Sequence, residues 1–303
     1  MRRALQLAGN GEGRVSPNPM VGAVIVCDDR IIGEGFHAFY GGPHAEVNAV
    51  NSVKEEDRPL LKKSTIYVTL EPCAHFGKTP PCANLIKDCG IPEVVIGALD
   101  PNPLVAGKGV KILEDAGIKV ESGLLENECK DLNRVFMKAH TDPLPWVTLK
   151  WAQTADGFMA SFDEKGNPLP IKISSELSSV FMHRERAKND AILVGSNTEK
   201  IDHPLLSNRL WGGNSPKKFV AENNLALKDF LINLRKEGIT SLLVEGGPAL
   251  LKSFIKEGLY DEMRVETSPR ILDKGLKAPS LPEDVKLVTT KKIGDNVIQN
   301  YRR

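Results

Sequence analysis

Thr141-Asp142-Pro143-Leu144-Pro145 divides this chain. Two prolines in five residues interrupt helix and strand alike, because each fixes φ and removes a backbone donor. On both sides, short apolar runs alternate with amphipathic stretches. Before the break, strands are expected at 21–26, 31–35, 65–70, 94–97 and 120–123, and helices at 2–9, 44–53, 82–89, 109–117 and 127–138. After it, strands at 146–151, 191–195 and 242–245 alternate with helices at 175–188, 225–237 and 249–257, and Lys217 to Val220 begins a further strand. Such alternation predicts α/β layers. Two domains are expected, 1–142 and 143–303, and the 303-residue length suits that number.

The charge balance removes several function classes. A formal net charge of +1 and a pI near 7.6 offer no bulk attraction for a polyanion, so no nucleic-acid partner is expected. The basic pairs Arg2-Arg3, Lys62-Lys63, Lys217-Lys218 and Lys291-Lys292 read as solvated surface. No apolar run approaches the roughly 20 residues of a membrane helix, and Met1 to Ala8 lacks a signal-peptide core. Five cysteines, an odd number, argue against a disulfide framework and for a reducing, cytoplasmic setting.

Three fragments carry chemistry: His44-Ala45-Glu46, Pro72-Cys73 and Pro81-Cys82. One imidazole and two thiolates are a ligand set for catalytic zinc, which keeps its fourth position for water. Glu46 is then the proton carrier, not a ligand. Residues two apart inside a helix diverge, so His44 and Glu46 converge only if His44 stands at the helix start, where Pro43 suits it. Pro80-Pro81 likewise puts Cys82 at a helix N-terminus, where the dipole favours a thiolate. A structural zinc site would need a fourth protein ligand, for which His75 and Cys89 are the candidates; Cys89 reads better as core.

These residues resemble the zinc-dependent cytidine/deoxycytidylate deaminase superfamily, with its H-x-E followed by P-C-x-x-C. Here eight residues separate the two cysteines, in PCAHFGKTPPC. That run, with PNPMVGAVIV at 17–26 and DPNPLVAGKG at 100–109, resembles the diaminohydroxyphosphoribosylaminopyrimidine deaminases of riboflavin biosynthesis. The resemblance implies a cytidine deaminase-like three-layer domain acting on a phosphoribosyl pyrimidine. His44, Cys73 and Cys82 would hold zinc, and Glu46 would shuttle protons. Asn18 would bond the pyrimidine edge, and His75 and Lys78 would face the ribose phosphate.

No G-x-G-x-x-G is present after the break; Val244-Glu245-Gly246-Gly247-Pro248 stands between a strand and a helix instead. With PWVTLKWAQTADG at 145–157, DAILVGSNT at 190–198 and LLVEGGPALL at 242–251, it resembles the reductase half of the same bifunctional family. That implies a dihydrofolate reductase-like domain that uses NADPH to reduce the ribosyl group to ribityl. Ala152, Lys172, Thr198, Asp202, Gly246, Gly247, Pro248, Ala249 and Leu250 would bind NADPH. Arg186, Leu206, Arg209 and Glu245 would bind substrate, with Lys150 and Asp156 in the opening strand and turn. Lys172 stands where many relatives carry tryptophan. A homo-oligomer is expected.

The family also carries a few dozen more residues between Ser215-Pro216 and the helix near 225. A natural deletion there would remove a strand from mid-sheet and expose unpaired backbone. The sequence is therefore expected to be shorter than the folded polypeptide, at this junction and by a few residues before Met1. Three rival functions remain open: a cytidine or nucleic-acid deaminase, a zinc-stabilised scaffold, and a deaminase with a degenerate C-terminal half.

Overall fold

The computed structural model describes every residue except Gly77–Thr79, Leu104, His203 and Asn223, together with the side chain of Asp202. The chain divides into two compact units, Met1–Asp142 and Pro143–Arg303.

The first unit contains α1 (Arg2–Ala8), β1 (Gly22–Cys27), β2 (Arg30–Phe36), α2 (Ala45–Asn51), β3 (Thr65–Leu70), α3 (Cys82–Asp88), β4 (Glu93–Ala98), α4 (Lys108–Asp115), β5 (Lys119–Ser122), α5 (Glu126–Leu132) and α6 (Arg134–Thr141). Its sheet runs β2-β1-β3-β4-β5. The β1 strand is antiparallel to both neighbours, while β3, β4 and β5 are parallel. Alternation along β1 sorts the layers, because successive side chains leave opposite faces. Ala23, Ile25 and Cys27 enter one cluster with Ala45, Ala49, Ala83, Ile86 and Leu113. Val24 enters another with Ala4 and Leu7 of α1. Helices therefore cover both faces. A Cβ on Gly35 would run into the backbone of Ala45 and Ala49, so glycine lets α2 press directly onto β2.

The helix expected at 127–138 is two helices. Asn133 breaks it, with φ −105° and ψ 22°. Its buried side chain accepts from Met20 N–H and donates to Met20 C=O, both at 2.8 Å. The backbone pair thus docks the 18–20 segment, and the helix yields to it.

The second unit contains β6 (Trp146–Gln153), β7 (Phe158–Phe162), β8 (Pro168–Pro170), α7 (Glu176–Ala187), β9 (Ala191–Gly195), α8 (Ser196–Asp202), β10 (Lys217–Ala221), α9 (Leu227–Lys236), β11 (Ser241–Glu245), α10 (Pro248–Glu257), β12 (Glu262–Thr267), β13 (Leu276–Lys277), β14 (Lys286–Ile293) and β15 (Asn296–Arg302). The main sheet runs β10-β9-β11-β6-β12-β15-β14, and β13-β7-β8 form a small one. Its first five strands are parallel and the last two antiparallel. Phe254, Leu231 and Leu149 are fully buried in its core.

The short junction after β10 does not take a strand out of mid-sheet. The β10 strand is an edge and pairs with β9 alone. Residues 222–240, α9 among them, supply the crossover to β11, a length parallel strands accommodate.

Candidate functional site

His44 caps α2 with extended backbone, φ −70° and ψ 164°, so it stands outside the helix while Glu46 lies in the first turn. Pro81 caps α3, and Cys82 is its first residue. Cys73 follows β3 by way of Glu71 and Pro72. Three chain segments thus deliver one nitrogen and two sulfurs, all within 4.8 Å of one another. His44 Nδ1 lies 3.5 Å from Cys73 Sγ and 3.3 Å from Cys82 Sγ. Tetrahedral zinc, with bonds of about 2.3 Å to sulfur and 2.0–2.1 Å to nitrogen, asks for about 3.5 Å between such ligand atoms. The donors fit the metal. Among the described residues no fourth ligand joins them, and Cys89 packs against the apolar cluster.

The electrostatics suit a thiolate site. Cys82 N–H, at the start of α3, donates to Cys73 Sγ at 3.3 Å. Hydrogen bonds from the Cys82 thiol and from His44 hold Cys73 down to about 4, despite its burial. Donation to Cys73 and burial push Cys82 up. The hydrogen bond to Cys73 raises His44. Burial pushes Glu46, which is only 3% exposed, up to about 7.

A cavity of about 240 Å³ opens over this cluster, lined by Asn18, His37, His44, Glu46, Cys73 and His75 among others. Asn18 and His75 line the same cavity as His44, Glu46 and Cys73. Lys78 lies outside the described residues. Sequence reasoning passed over Glu71, which precedes Pro72-Cys73 and is buried. Its carboxylate accepts from the N–H groups of Asp100, Gly107, Gly109 and Val110 at 2.9–3.4 Å. One side chain thereby ties the Cys73 segment to the start of α4. It missed His37 as well, a lone histidine with no motif around it.

In the second unit Ala152, Thr198 and residues 245–250 lie at or just beyond the carboxyl ends of β6, β9 and β11, where open parallel sheets bind ligands. Gly247 N–H donates to Thr198 Oγ1 at 3.1 Å, joining the turn after β11 to α8. Ala152 lies near the end of β6, and Pro248 opens α10. Ala249 and Leu250 continue that helix, and Asp202 ends α8. Lys172 is exposed, on the segment that Ser174 anchors to Glu266 of β12 at 2.7 Å.

Arg186 and Glu245 bind each other. Two N–H···O bonds of 2.8 Å form a fork, and Arg186 Nη1 also reaches Ser207 C=O at 3.2 Å. Burial would raise Glu245, but Arg186 and Lys150 hold it below the usual carboxylate range. Lys150 stands opposite Glu245 across β6 and β11. Leu206 is buried with φ 49°, and Arg209 is exposed. His183, unmarked in the sequence, accepts from Leu210 N–H at 3.3 Å and so holds this loop. Asp156 is spent on the turn, accepting from Thr154 Oγ1 and from the N–H groups of Leu272 and Asp273.

Residues 1–98 match the family model of the cytidine and deoxycytidylate deaminase zinc-binding region. Residues 145–229 and 218–300 match that of the RibD C-terminal domain. The class is a two-domain enzyme, a zinc-dependent deaminase followed by an NADPH-dependent reductase. A riboflavin biosynthesis protein RibD of Bacillus amyloliquefaciens is 39% identical over 93% of this chain and 86% of its own. One of Aquifex aeolicus is 35% identical over 100% and 97%. The crystal structure of a Thermotoga maritima diaminohydroxyphosphoribosylaminopyrimidine deaminase/5-amino-6-(5-phosphoribosylamino)uracil reductase superposes with a TM-score of 0.89, at 36% identity, covering 100% of this chain and 97% of that one. The chain belongs to the RibD family, the bifunctional deaminase/reductases of riboflavin biosynthesis. The Aquifex alignment spans 354 positions against 303 residues here, so that relative carries residues this chain lacks. No described helix is long and apolar enough to cross a membrane.

Proposed function

We propose that the first unit hydrolyses 2,5-diamino-6-(5-phosphoribosylamino)pyrimidin-4-one, releasing its 2-amino group as ammonia, and that the second reduces the ribosyl group of the product to ribityl. The observation that carries this is the three-ligand cluster beside buried Glu46 under a cavity of about 240 Å³. His44, Cys73 and Cys82 would hold zinc, which when bound polarises a water and lowers its pKa. Glu46 takes one proton from the attacking water and passes it to the ring nitrogen, then carries the second to the departing amine. Asn18 meets the pyrimidine edge, while His75, at the cavity rim, and Lys78 serve the ribose phosphate. The water oxygen becomes the new ring carbonyl, so the reaction balances without a redox partner.

In the second unit NADPH supplies the hydride. Ala152, Thr198, Asp202 and the turn and helix at 246–250 hold the cofactor, with Lys172 beside its reactive end. Three of the five N–H groups of Arg186 already serve Glu245 and Ser207. Arg209 is therefore the freer arginine for the 5′-phosphate, while Arg186 and Glu245 shape the pocket against Leu206. Lys150 and Asp156 support the opening strand and turn. Both reactions are assigned to the cytoplasm, in keeping with five unpaired cysteines, and the expected assembly is a homo-oligomer. A coupled assay with the pathway substrate tests the reading, ammonia and NADPH being followed separately. Ammonia without NADPH consumption would leave a deaminase with an inert second half. Ammonia from cytidine alone would replace the substrate.

A further inference from the structure

Asn18 and His37 reach the deaminase cavity from different segments and touch each other there. His37 is 3% exposed. Its Nδ1 lies 2.9 Å from the Pro43 carbonyl oxygen, and its Nε2 lies 3.1 Å from Asn18 Nδ2. A carbonyl oxygen only accepts, so Nδ1 carries a proton and donates. In a neutral imidazole the other nitrogen is then an acceptor. Asn18 Nδ2, which can only donate, faces Nε2, so Nε2 accepts and the ring is neutral. Asn18 must therefore turn an N–H toward His37. Its Oδ1 and its second N–H remain for the cavity.

We propose that His37 is a positioning residue that sets the amide orientation of Asn18 and thereby selects a pyrimidine edge with a ring N–H beside a carbonyl. The proposal rests on the reading that Asn18 meets the pyrimidine. A pyrimidin-4-one with a 2-amino group carries N3–H next to C4=O, one donor and one acceptor, matching Oδ1 and the second Nδ2–H. A cytosine ring offers a bare N3 next to C2=O. Its carbonyl could take the N–H, but Asn18 Oδ1 would then face a lone pair. Without His37 the amide can flip and meet the substrate N–H with its own N–H. A polar group left unpaired in a closed site costs about ten- to a hundredfold.

The test uses the zinc-loaded full chain. In H37L, KM of the phosphoribosyl pyrimidine should rise about ten- to a hundredfold with kcat little changed, since a contact made equally in ground and transition states acts on KM. H37Q keeps one donor and one acceptor and should recover most of the loss. Zinc content and reduction of supplied deaminated substrate should stay at wild-type levels. ¹⁵N NMR of histidine-labelled wild-type enzyme, with the His37 signals assigned by their loss in H37Q, should show a protonated Nδ1 and a bare Nε2. A proton on Nε2, an unchanged KM in H37L, or an H37Q as impaired as H37L would overturn the proposal. If H37L loses zinc, the tautomer and H37Q still decide it. Wild-type enzyme that leaves the pathway substrate untouched would sink the substrate reading, while the tautomer still reports on the amide.

Discussion

In the first unit, three ligand atoms reach one point from the starts of two helices and the beginning of the loop after β3. In the second, several candidate residues sit at the ends of parallel strands, and some of the candidates hold one another. The difference lies in what does the positioning. Backbone fixes the zinc cluster: His44 is a cap, Cys82 a first helical residue, and Glu71 gathers backbone N–H groups behind Cys73. Side-chain pairing fixes the second site: the Arg186–Glu245 fork, the Gly247–Thr198 bond and the Ser174–Glu266 bond. A change in the first site should strike chemistry before stability. A change in the second should reach stability and binding together.

The largest effect expected is that of Glu46→Gln. It removes the proton carrier and none of the metal donors, so ammonia release should fall by about 10²–10⁴ or more. Zinc content by metal analysis and reduction of supplied deaminated substrate should be unchanged. Near-normal deamination by the zinc-loaded variant would end the assignment of Glu46.

Arg186→Leu should act through stability. Both partners are largely buried, with side chains 13% and 12% exposed. Removing one leaves the other charge uncompensated, which costs about 3–5 kcal/mol. Thermal melts should show the second unit unfolding early, with deaminase activity retained up to that point. A melt that does not move would mean that water or Lys150 already compensates Glu245.

Gly109→Ala tests the backbone design of the first site. A Cβ there would run into the Pro72 carbonyl oxygen, next to Cys73. Overpacking of this kind costs about 1–3 kcal/mol, and here it should also weaken zinc retention in a chelator competition. Unaltered zinc retention would show that Cys73 is held independently of the 107–110 segment.

Gly247→Ala is expected to be milder. An added Cβ would meet only Thr198 Oγ1, at an ordinary 3.5 Å, so folding should be normal. NADPH affinity by titration should drop about tenfold if the phosphates approach this backbone, as at other helix N-termini. Unchanged affinity would move the cofactor elsewhere.

The smallest effect concerns pH. Burial, then the charges of Arg186 and Arg209, lower His183 from its model-compound value of 6.5. A depressed histidine binds its proton more readily unfolded than folded. The second unit should therefore lose stability as pH falls from about 6.5 through the folded value, by less than about 1.4 kcal/mol per pH unit. His183→Gln should flatten that slope in pH-dependent denaturant melts. An identical slope would assign it to other groups.

Apolar runs such as β1 and alternating ones such as β3, and helices stopped by glycine, such as α3, were legible as written. So were the zinc fragments, because proline before His44 and before Cys82 announces a helix start in the local sequence. The β12 strand was not legible. Glu262, Arg264 and Glu266 occupy positions that are all nine-tenths or more buried, where pattern reading expects apolar side chains. Their partners, Arg302 for Glu262, Asn300 for Arg264, and Asn296 and Ser174 for Glu266, lie far along the chain. The edge strand β14 was hidden for the opposite reason, since seven of its eight residues are exposed.

The chain's residues by themselves determined the two-part α/β organisation and the identity of the candidate metal donors, since both depend on local pattern and on side-chain chemistry. Tertiary structure decided the rest. It split one helix at Asn133 so that a side chain could dock Met20. It placed β10 at a sheet edge, paired with β9 alone. It also set His37 against Asn18 across nineteen residues. Such contacts join segments whose separation carries no periodic signal, so only the packing of the whole unit fixes them.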